Sequence, residues 1–390
     1  MTMDMTPQFP TTPPHLERAL PLAALARAKS HFLFGPRQTG KSYLIRHALP
    51  GVKLYDLLDT PTYLALSQQP ERIGQALTPR DRVVVIDEIQ RLPELLNEAQ
   101  RLIEERHVRC LLTGSSARKL RRGGVNLLGG RARIRFLHPL TARELGPWFE
   151  LPRALERGLL PTIYFSENPQ ADLEAYAGAY LQQEIVAEAA TRNVPAFSRF
   201  LKVAAHCNGT VVNFTNVAND AQVARTTVYE YFDILKDTLL LHELPAWTRS
   251  KKRKPLSSSK YYFFDVGVVA SLQGRRFQPG TPEFGEGFET YLMHELVCHR
   301  DYRSGEPLSF WRSASGFEVD FIVGDHTAIE AKAKAHLGPQ DVRSLMALAE
   351  ERRLKRYLCV SLEPRTRKVG PVTVLPLQEF LDSLWDGVWS

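Results

Sequence analysis

Cysteine is scarce in this chain. Its 390 residues hold four, Cys110, Cys207, Cys298 and Cys359, all far apart and none in a CxxC pair. That spacing excludes a short disulfide framework and fits a reducing compartment, so a cytoplasmic address is expected. Long apolar runs are missing too: no stretch of about 18 apolar residues could span a bilayer, and no membrane partner is expected. The opening MTMDMTPQFPTTPPH carries Asp4 and several prolines without an apolar centre, which argues against a secretory signal; residues 1–14 read as a flexible arm. There is no internal repeat, no long low-complexity tract, and no G-x-S-x-G elbow that would suggest acyl chemistry.

What is present is an ordinary globular balance, 44% hydrophobic and 24% charged, which argues against long disorder. The length exceeds what one hydrophobic core usually supports, so two or three domains are expected. Fifty Lys and Arg against 43 Asp and Glu leave a net charge of +7, which favours a polyanionic partner.

Residues 15–29, HLERALPLAALARAK, repeat apolar positions at helical spacing, and HFLF then reads as a buried strand. It runs into Gly35-Pro36-Arg37-Gln38-Thr39-Gly40-Lys41-Ser42, a G-x-x-x-x-G-K-[ST] loop, and a helix, SYLIRHAL, follows. In that pattern the glycines let backbone N–H groups surround phosphate oxygens, Lys41 neutralises β/γ charge and Ser42 ligates Mg²⁺. A second strand, Val83-Val84-Val85-Ile86, closes on Asp87 and Glu88, which suit a metal shell and the polarisation of an attacking water. A third, LLTGSS, carries Thr113 and Ser115 at its tip, where a γ-phosphate sensor would sit. Strands buried on both faces and alternating with helices predict a parallel α/β sheet. Arg131-Ala132-Arg133-Ile134-Arg135 puts three guanidinium groups on one face of an extended segment. Arg131 or Arg133 would face phosphate, in cis or in a neighbouring subunit, or else the face is merely solvated.

The loop GPRQTGKS, the strands VVVIDEIQ and LLTGSS, and the following GGRARIRFLHPLTARELG resemble the bacterial and archaeal ATPases of the AAA+-like superfamily that carry a C-terminal domain of unknown function 4143. The resemblance covers nearly the whole chain. It implies ATP and Mg²⁺ as cofactors, Lys41 and Ser42 as phosphate and magnesium contacts, Asp87 and Glu88 as the acidic pair, and Thr113 or Ser115 as sensor.

Farther on, NFTNVANDAQVARTTVYEYFDILKD reads as a short helix, a turn and a longer helix from about Arg225. In such a helix-turn-helix unit Arg225, Thr226, Thr227 and Tyr229 would meet phosphates or base edges. The run Arg249-Ser250-Lys251-Lys252-Arg253-Lys254 after LLLHELPAW gives the layout of a winged helix with a basic hairpin. Lys251, Lys252, Arg253 and Lys254 would then bind DNA in a salt-sensitive, largely sequence-independent way. A second basic cluster, Arg118, Lys119, Arg121 and Arg122, lies in the ATPase half. The alternatives are a solvated loop and a helix pair used only for protein contacts.

Near the C-terminus GFEVDFIV and AIEAK read as antiparallel strands that give Asp320, Glu330 and Lys332 in a D-x₉-E-x-K pattern. This resembles the restriction-endonuclease-like, or PD-(D/E)xK, fold, in which two carboxylates hold Mg²⁺ beside a lysine; Glu289 on the helix GEGFETYLMHEL is the third candidate ligand. The fold is also compatible with a binding platform that does not cut. His294, Cys298 and His299 lack the second pair that a structural zinc site needs.

The expected organisation is an α/β protein: arm 1–14, ATPase 15–145, linker 146–170, helical or winged-helix domain 171–262, nuclease-like domain 263–390. The expected function is a DNA-binding ATPase, a motor or remodeller for which branched DNA is one candidate substrate. Its expected assembly is a homo-oligomer, a hexameric ring being one form. The alternatives are a nucleotide-dependent protein-interaction switch in signalling or defence, and an ATP-gated Mg²⁺-dependent nuclease.

Overall fold

The uncharged runs HFLF, VVVI and CLL leave no polar face, so they can lie only in the middle of a covered sheet. In a computed structural model, which describes residues 10, 14–116, 118, 120, 128–180 and 193–388, they do. Most of the expected arm, together with Lys119, Arg121 and Arg122, falls outside the described residues. Strands β1 (Ser30–Phe34), β2 (Lys53–Asp56), β3 (Val83–Asp87), β4 (Arg109–Gly114) and β5 (Ala132–Phe136) form a parallel sheet in the order β2-β3-β4-β1-β5. Alternation splits each inner strand between two cores. Phe32, Phe34, Val84, Ile86 and Leu112 meet the helix Leu95–Arg106, whereas Leu33, Val85 and Leu111 meet the helices Leu22–Ala28 and Lys41–Ala48. With all strands parallel, the loops after β1, β3 and β4 gather along one edge, the usual ligand edge of such a sheet.

Two expectations are corrected. The helix expected over 15–29 occupies only Leu22–Ala28, with Pro21 at its N-cap, because proline disfavours helical backbone in the residue before it. The stretch 146–170, expected as a linker, folds into short helices, among them Leu151–Arg157 and Pro161–Tyr164. Each of these two carries proline in its first turn, where no N–H is needed. Leu155, Leu159, Leu160 and Tyr164 are completely buried there.

The middle of the chain contains the helix Val194–His206, then Phe214–Ala221 and Arg225–Asp237. The Asn213 side chain caps the second of these, accepting from Thr215 N and Asn216 N, and Gln222 in left-handed conformation ends it. Strands β6 (Leu241–Leu244) and β7 (Lys260–Phe263) pair antiparallel after the helices.

The C-terminal sheet has six strands: β8 (Leu308–Arg312), β9 (Glu318–Val323), β10 (Thr327–Lys332), β11 (Arg356–Ser361), β12 (Arg367–Val369) and β13 (Val372–Pro376). Their order is β12-β13-β11-β10-β9-β8, and the sheet is mixed, with β10, β11 and β13 parallel. Apolar residues of the middle helices, of the helix Pro282–His299 and of this sheet form one continuous core. No helix among the described residues is long and apolar enough to cross a membrane.

The basic connection between β6 and β7 is not the free hairpin that the spacing predicts. Trp247 is buried beside Val319 and Ile322. Its backbone N donates to Phe310 O at 2.6 Å, and Leu256 N donates to Arg312 O at 2.9 Å. The connection therefore covers the otherwise open edge of β8.

Candidate nucleotide site and neighbouring charge clusters

The loop after β1 is shaped by backbone constraints that only some residues meet. A Cβ at Gly35 would lie 2.3 Å from Leu137 O, and Gly40 has φ +90° at the helix N-cap. Lys41 is buried, and its Nζ donates to Gly35 O at 2.6 Å and Pro36 O at 3.1 Å. Thr39 Oγ1 donates to Pro36 O at 2.8 Å, closing the turn. The loop is also held from outside: Arg18 Nη1 donates to Thr39 O and Nη2 to His138 O, each at 2.7 Å, while its Nε forms an ion pair with Glu144 at 2.9 Å. Thr162 Oγ1 reaches Gln38 Oε1 at 3.2 Å, and the Tyr176 hydroxyl donates to Arg37 O at 3.3 Å, so the helices after the sheet return to the loop.

Against this loop stands the end of β3. Ser42 Oγ donates to Asp87 Oδ2 at 2.8 Å, and the Thr113 hydroxyl donates to Asp87 Oδ1, so two hydroxyls bracket one carboxylate. Glu88 has φ +61°, a left-handed backbone that costs a residue with a Cβ about 1–2 kcal/mol and turns its carboxylate away from the strand line. Gln90 Nε2 donates to Glu88 Oε2 and, at 3.3 Å, to Ser115 Oγ. Gly114 makes room for that amide: a Cβ there would lie 2.3 Å from Gln90 Oε1. Burial pushes the Glu88 carboxyl above the usual carboxylate range; the Lys41 charge opposes that shift and the Asp87 charge adds to it.

Lys41, Ser42, Asp87, Glu88, Thr113 and Ser115 thus meet at the sheet edge, as their positions in the sequence suggest. Arg131 and Arg133 do not join them. Pairing of Ser30 with Ala132 and of His31 with Arg133 sets both at the far end of β5, about 10 Å or more from the loop at ~3.3 Å per residue. Arg131 is instead ion-paired with Glu104. Arg18 and Gln90 are contributors that sequence reasoning missed. Gln90 left a faint signal in its place two residues after Glu88; Arg18 left none, because its partners are up to 126 residues away (144 minus 18).

In the helix-turn-helix unit Arg225, Thr226 and Tyr229 are exposed and Thr227 is half-buried. Arg225 Nη2 donates to the Tyr229 hydroxyl at 2.9 Å, and the Tyr229 ring stacks on Phe214 at 4.4 Å. Arg118, just past the tip of β4, pairs with Asp237 at the end of the second helix. The basic run divides. Lys251, Lys252 and Lys254 are exposed, whereas Arg253 Nη1 donates to Ala347 O at 2.8 Å and Nη2 pairs with Glu350 at 2.7 Å. The backbone N–H groups of Lys251, Lys252 and Arg253 converge on the Glu351 carboxylate. The expectation that Arg253 faces DNA is corrected: its guanidinium is engaged within the chain.

In the C-terminal sheet the expected pairing of β9 with β10 holds and sets Asp320 beside Glu330. Lys332 Nζ pairs with Glu330 Oε1 at 2.7 Å, and Asp320 Oδ2 accepts from Ala331 N at 2.8 Å. Burial, followed by the Glu289 charge at Asp320 and the Asp320 charge at Glu330, pushes both carboxyls upward. Glu289 is held otherwise, by the Tyr262 hydroxyl at 2.5 Å and Lys260 Nζ at 3.3 Å. Among the described residues no three His, Cys, Asp or Glu side chains are placed to hold a metal ion, which corrects the expectation of a Glu289, Asp320 and Glu330 ligand set. His294 and Cys298 pack against each other at 3.6 Å, and His294 Nε2 donates to Leu140 O at 3.0 Å.

Residues 27–146 match a family model described as an AAA domain, and residues 284–380 match a domain of unknown function, DUF4143. Residues 149–278 between them match another, DUF8612. An uncharacterized protein of Mycobacterium tuberculosis and one of Mycobacterium bovis are each 28% identical to this chain over 311 residues, covering 77% of it and 68% of their own length. Among solved structures, the chain is similar to a signal transduction ATPase with numerous domains (STAND), with a tetratricopeptide repeat sensor, from Pyrococcus horikoshii. That match has 14% identity and a TM-score of 0.23; it covers 74% of this chain and 46% of the other, so the chain spans about half of that protein. It is also similar to the replication initiator DnaA bound to AMPPCP and single-stranded DNA, at 12% identity and a TM-score of 0.26, over 55% of this chain and 83% of the other.

Proposed function

We propose that this chain, an AAA domain followed by a DUF4143 domain, is a Mg²⁺-dependent ATPase whose turnover is coupled to DNA bound by the helix-turn-helix unit. The observation that carries the reading is the meeting of Lys41, Ser42, Asp87 and Glu88 at the carboxyl ends of β1 and β3. The hydroxyl of Ser42 and the carboxylate of Asp87 form an all-oxygen donor set, which suits a hard cation. Bound Mg²⁺ would supply neutralisation of the β- and γ-phosphate charge.

The protein's own part follows from its geometry. Lys41 would exchange the carbonyls of Gly35 and Pro36 for phosphate oxygens, with the N–H groups of loop 36–41 around them. Glu88, steadied by Gln90, would orient the attacking water and accept its proton at the free side of the carboxylate. Thr113 would keep Asp87 in place and, with Ser115, sense the γ-phosphate. Since Arg131 and Arg133 lie far from the loop of their own chain, their phosphate role would be played in a neighbouring copy, which calls for a ring or other homo-oligomer.

Exposed Arg225, Thr226 and Tyr229, with Lys251, Lys252 and Lys254, would supply the DNA contacts. The Arg118–Asp237 pair offers a direct route from the tip of β4 to the second helix. The test is the ATPase rate with and without single-stranded, duplex and four-way DNA, in the wild type and in a Lys251→Ala, Lys252→Ala, Lys254→Ala triple variant. DNA stimulation that the triple variant weakens supports the reading. A second reading, a nucleotide-dependent switch for a protein partner, is favoured by the docking of Arg253 and the 251–253 amides onto the C-terminal domain. It predicts indifference to every DNA.

A further inference from the structure

The carboxylate cluster of the C-terminal sheet already contains a cation, and that cation belongs to another part of the chain. Lys260, the first residue of β7, is one of the largest completely buried side chains, in a residue class that is rarely buried without a partner. Its Nζ lies 2.6 Å from Glu318 Oε1 and 3.3 Å from Glu289 Oε1, and sits over the Phe310 ring at 5.4 Å. Its charge also acts on Asp320 and Glu330. The backbone leaves the side chain little choice of place: Lys260 pairs with Leu244 on one side and bridges Val211 on the other. Two residues on, the Tyr262 hydroxyl donates to the same Glu289 oxygen.

We propose that the Lys260 ammonium takes the place a divalent cation would occupy among Glu289, Glu318 and Asp320, so that this cluster is an internal ion lock between β7 and the C-terminal sheet and not a metal centre. The charges support it. Glu289, Glu318, Asp320 and Glu330 are faced by Lys260, by Lys332 on Glu330, and by Arg312 on Glu318 at 3.4 Å, so three cations meet four carboxylates. A divalent ion added to that set would meet the buried ammonium of a residue whose backbone is fixed in β7. The ligands are used as well: Asp320 Oδ2 accepts from Ala331 N, Glu289 Oε1 from Tyr262, and Glu330 Oε1 pairs with Lys332. Glu330 Oε2 is buried without a partner, but it belongs to the carboxylate that Lys332 already pairs with through Oε1. Removing the ammonium while keeping the length of the side chain would deepen the excess of negative charge and leave four carboxylates facing two cations.

The experiment counts Mn²⁺ bound per nucleotide-free full-length chain by electron paramagnetic resonance, at millimolar metal. Wild type and Asp320→Asn are expected to bind equally, and Lys260→Met is expected to bind one Mn²⁺ more, which the double variant Lys260→Met, Asp320→Asn loses. A wild-type Mn²⁺ that disappears in Asp320→Asn overturns the proposal, as does a folded Lys260→Met protein that gains none. Should Lys260→Met not fold, the wild-type and Asp320→Asn pair still decides, equal counts supporting the lock and a lost ion refuting it. Mg²⁺-dependent DNA cleavage by the wild type that Asp320→Asn abolishes would also refute it.

Discussion

The Ser42 hydroxyl donates to the Asp87 carboxylate across 2.8 Å, although the two residues stand 45 positions apart. This bond joins the phosphate loop to the acidic strand end that Glu88 follows.

Glu88→Gln keeps the shape and the Gln90 contact region but cannot take a proton. Nucleotide affinity should change little, while turnover falls about 100-fold or more, as expected for loss of a general base. Equilibrium binding of a fluorescent ATP analogue and steady-state phosphate release separate the two.

The pH profile follows from the same residue. Glu88 acts ionised, and burial raises its pKa above the ordinary 4.5, so activity should fall with acid at a midpoint above that value. The Gln90 N–H favours the ionised form; Gln90→Ala should move the midpoint further up. The pH dependence of kcat checks both.

Gly114→Ala would place a methyl group 2.3 Å from Gln90 Oε1 and displace the amide from Glu88. Because the residue lies in a regular strand, the fold should persist and single-turnover hydrolysis should slow. An unchanged rate would show that Gln90 does not position Glu88.

Arg18 connects the phosphate loop, the backbone just after β5 at His138, and Glu144, and the ion pair is buried on both sides. Arg18→Ala leaves Glu144 short of its partner and should cost about 3–5 kcal/mol in denaturant unfolding. It should also weaken ATP affinity, since Thr39 O loses its anchor.

His294 is fully buried, and burial lowers its pKa from 6.5 to about 3. Between those values the unfolded chain carries the proton and the folded chain does not, so this contribution to stability is whole above pH 6.5 and is lost as pH falls towards 3. The slope is at most about 1.4 kcal/mol per pH unit. His294→Asn should flatten the wild-type slope of unfolding free energy against pH in that window.

Much of the site is legible in local pattern. An apolar run closing on Asp87, a glycine loop between strand and helix, and two adjacent strands that pair antiparallel and set Asp320 against Glu330 are short-range signals, and each element lies where its pattern puts it. What is not legible depends on distant partners. Arg18 sits in a stretch with helical periodicity, and its role comes from Thr39, His138 and Glu144. Pro152 and Pro161 suggest a connection because turn and helix-start prolines look alike in sequence. The basic run suggests a free wing because nothing near it announces Glu351, about a hundred residues on, or the burial of Trp247. Lys260 looks like an ordinary strand end until Glu289 and Glu318 close on it.

The most direct check is phosphate release from Mg²⁺·ATP by purified wild type and by Lys41→Ala under the same conditions. ATP-dependent release by the wild type that falls to background in Lys41→Ala is the predicted result. A wild type that neither binds nor hydrolyses ATP, with or without DNA, or a Lys41→Ala protein that turns over at the wild-type rate, would contradict the account.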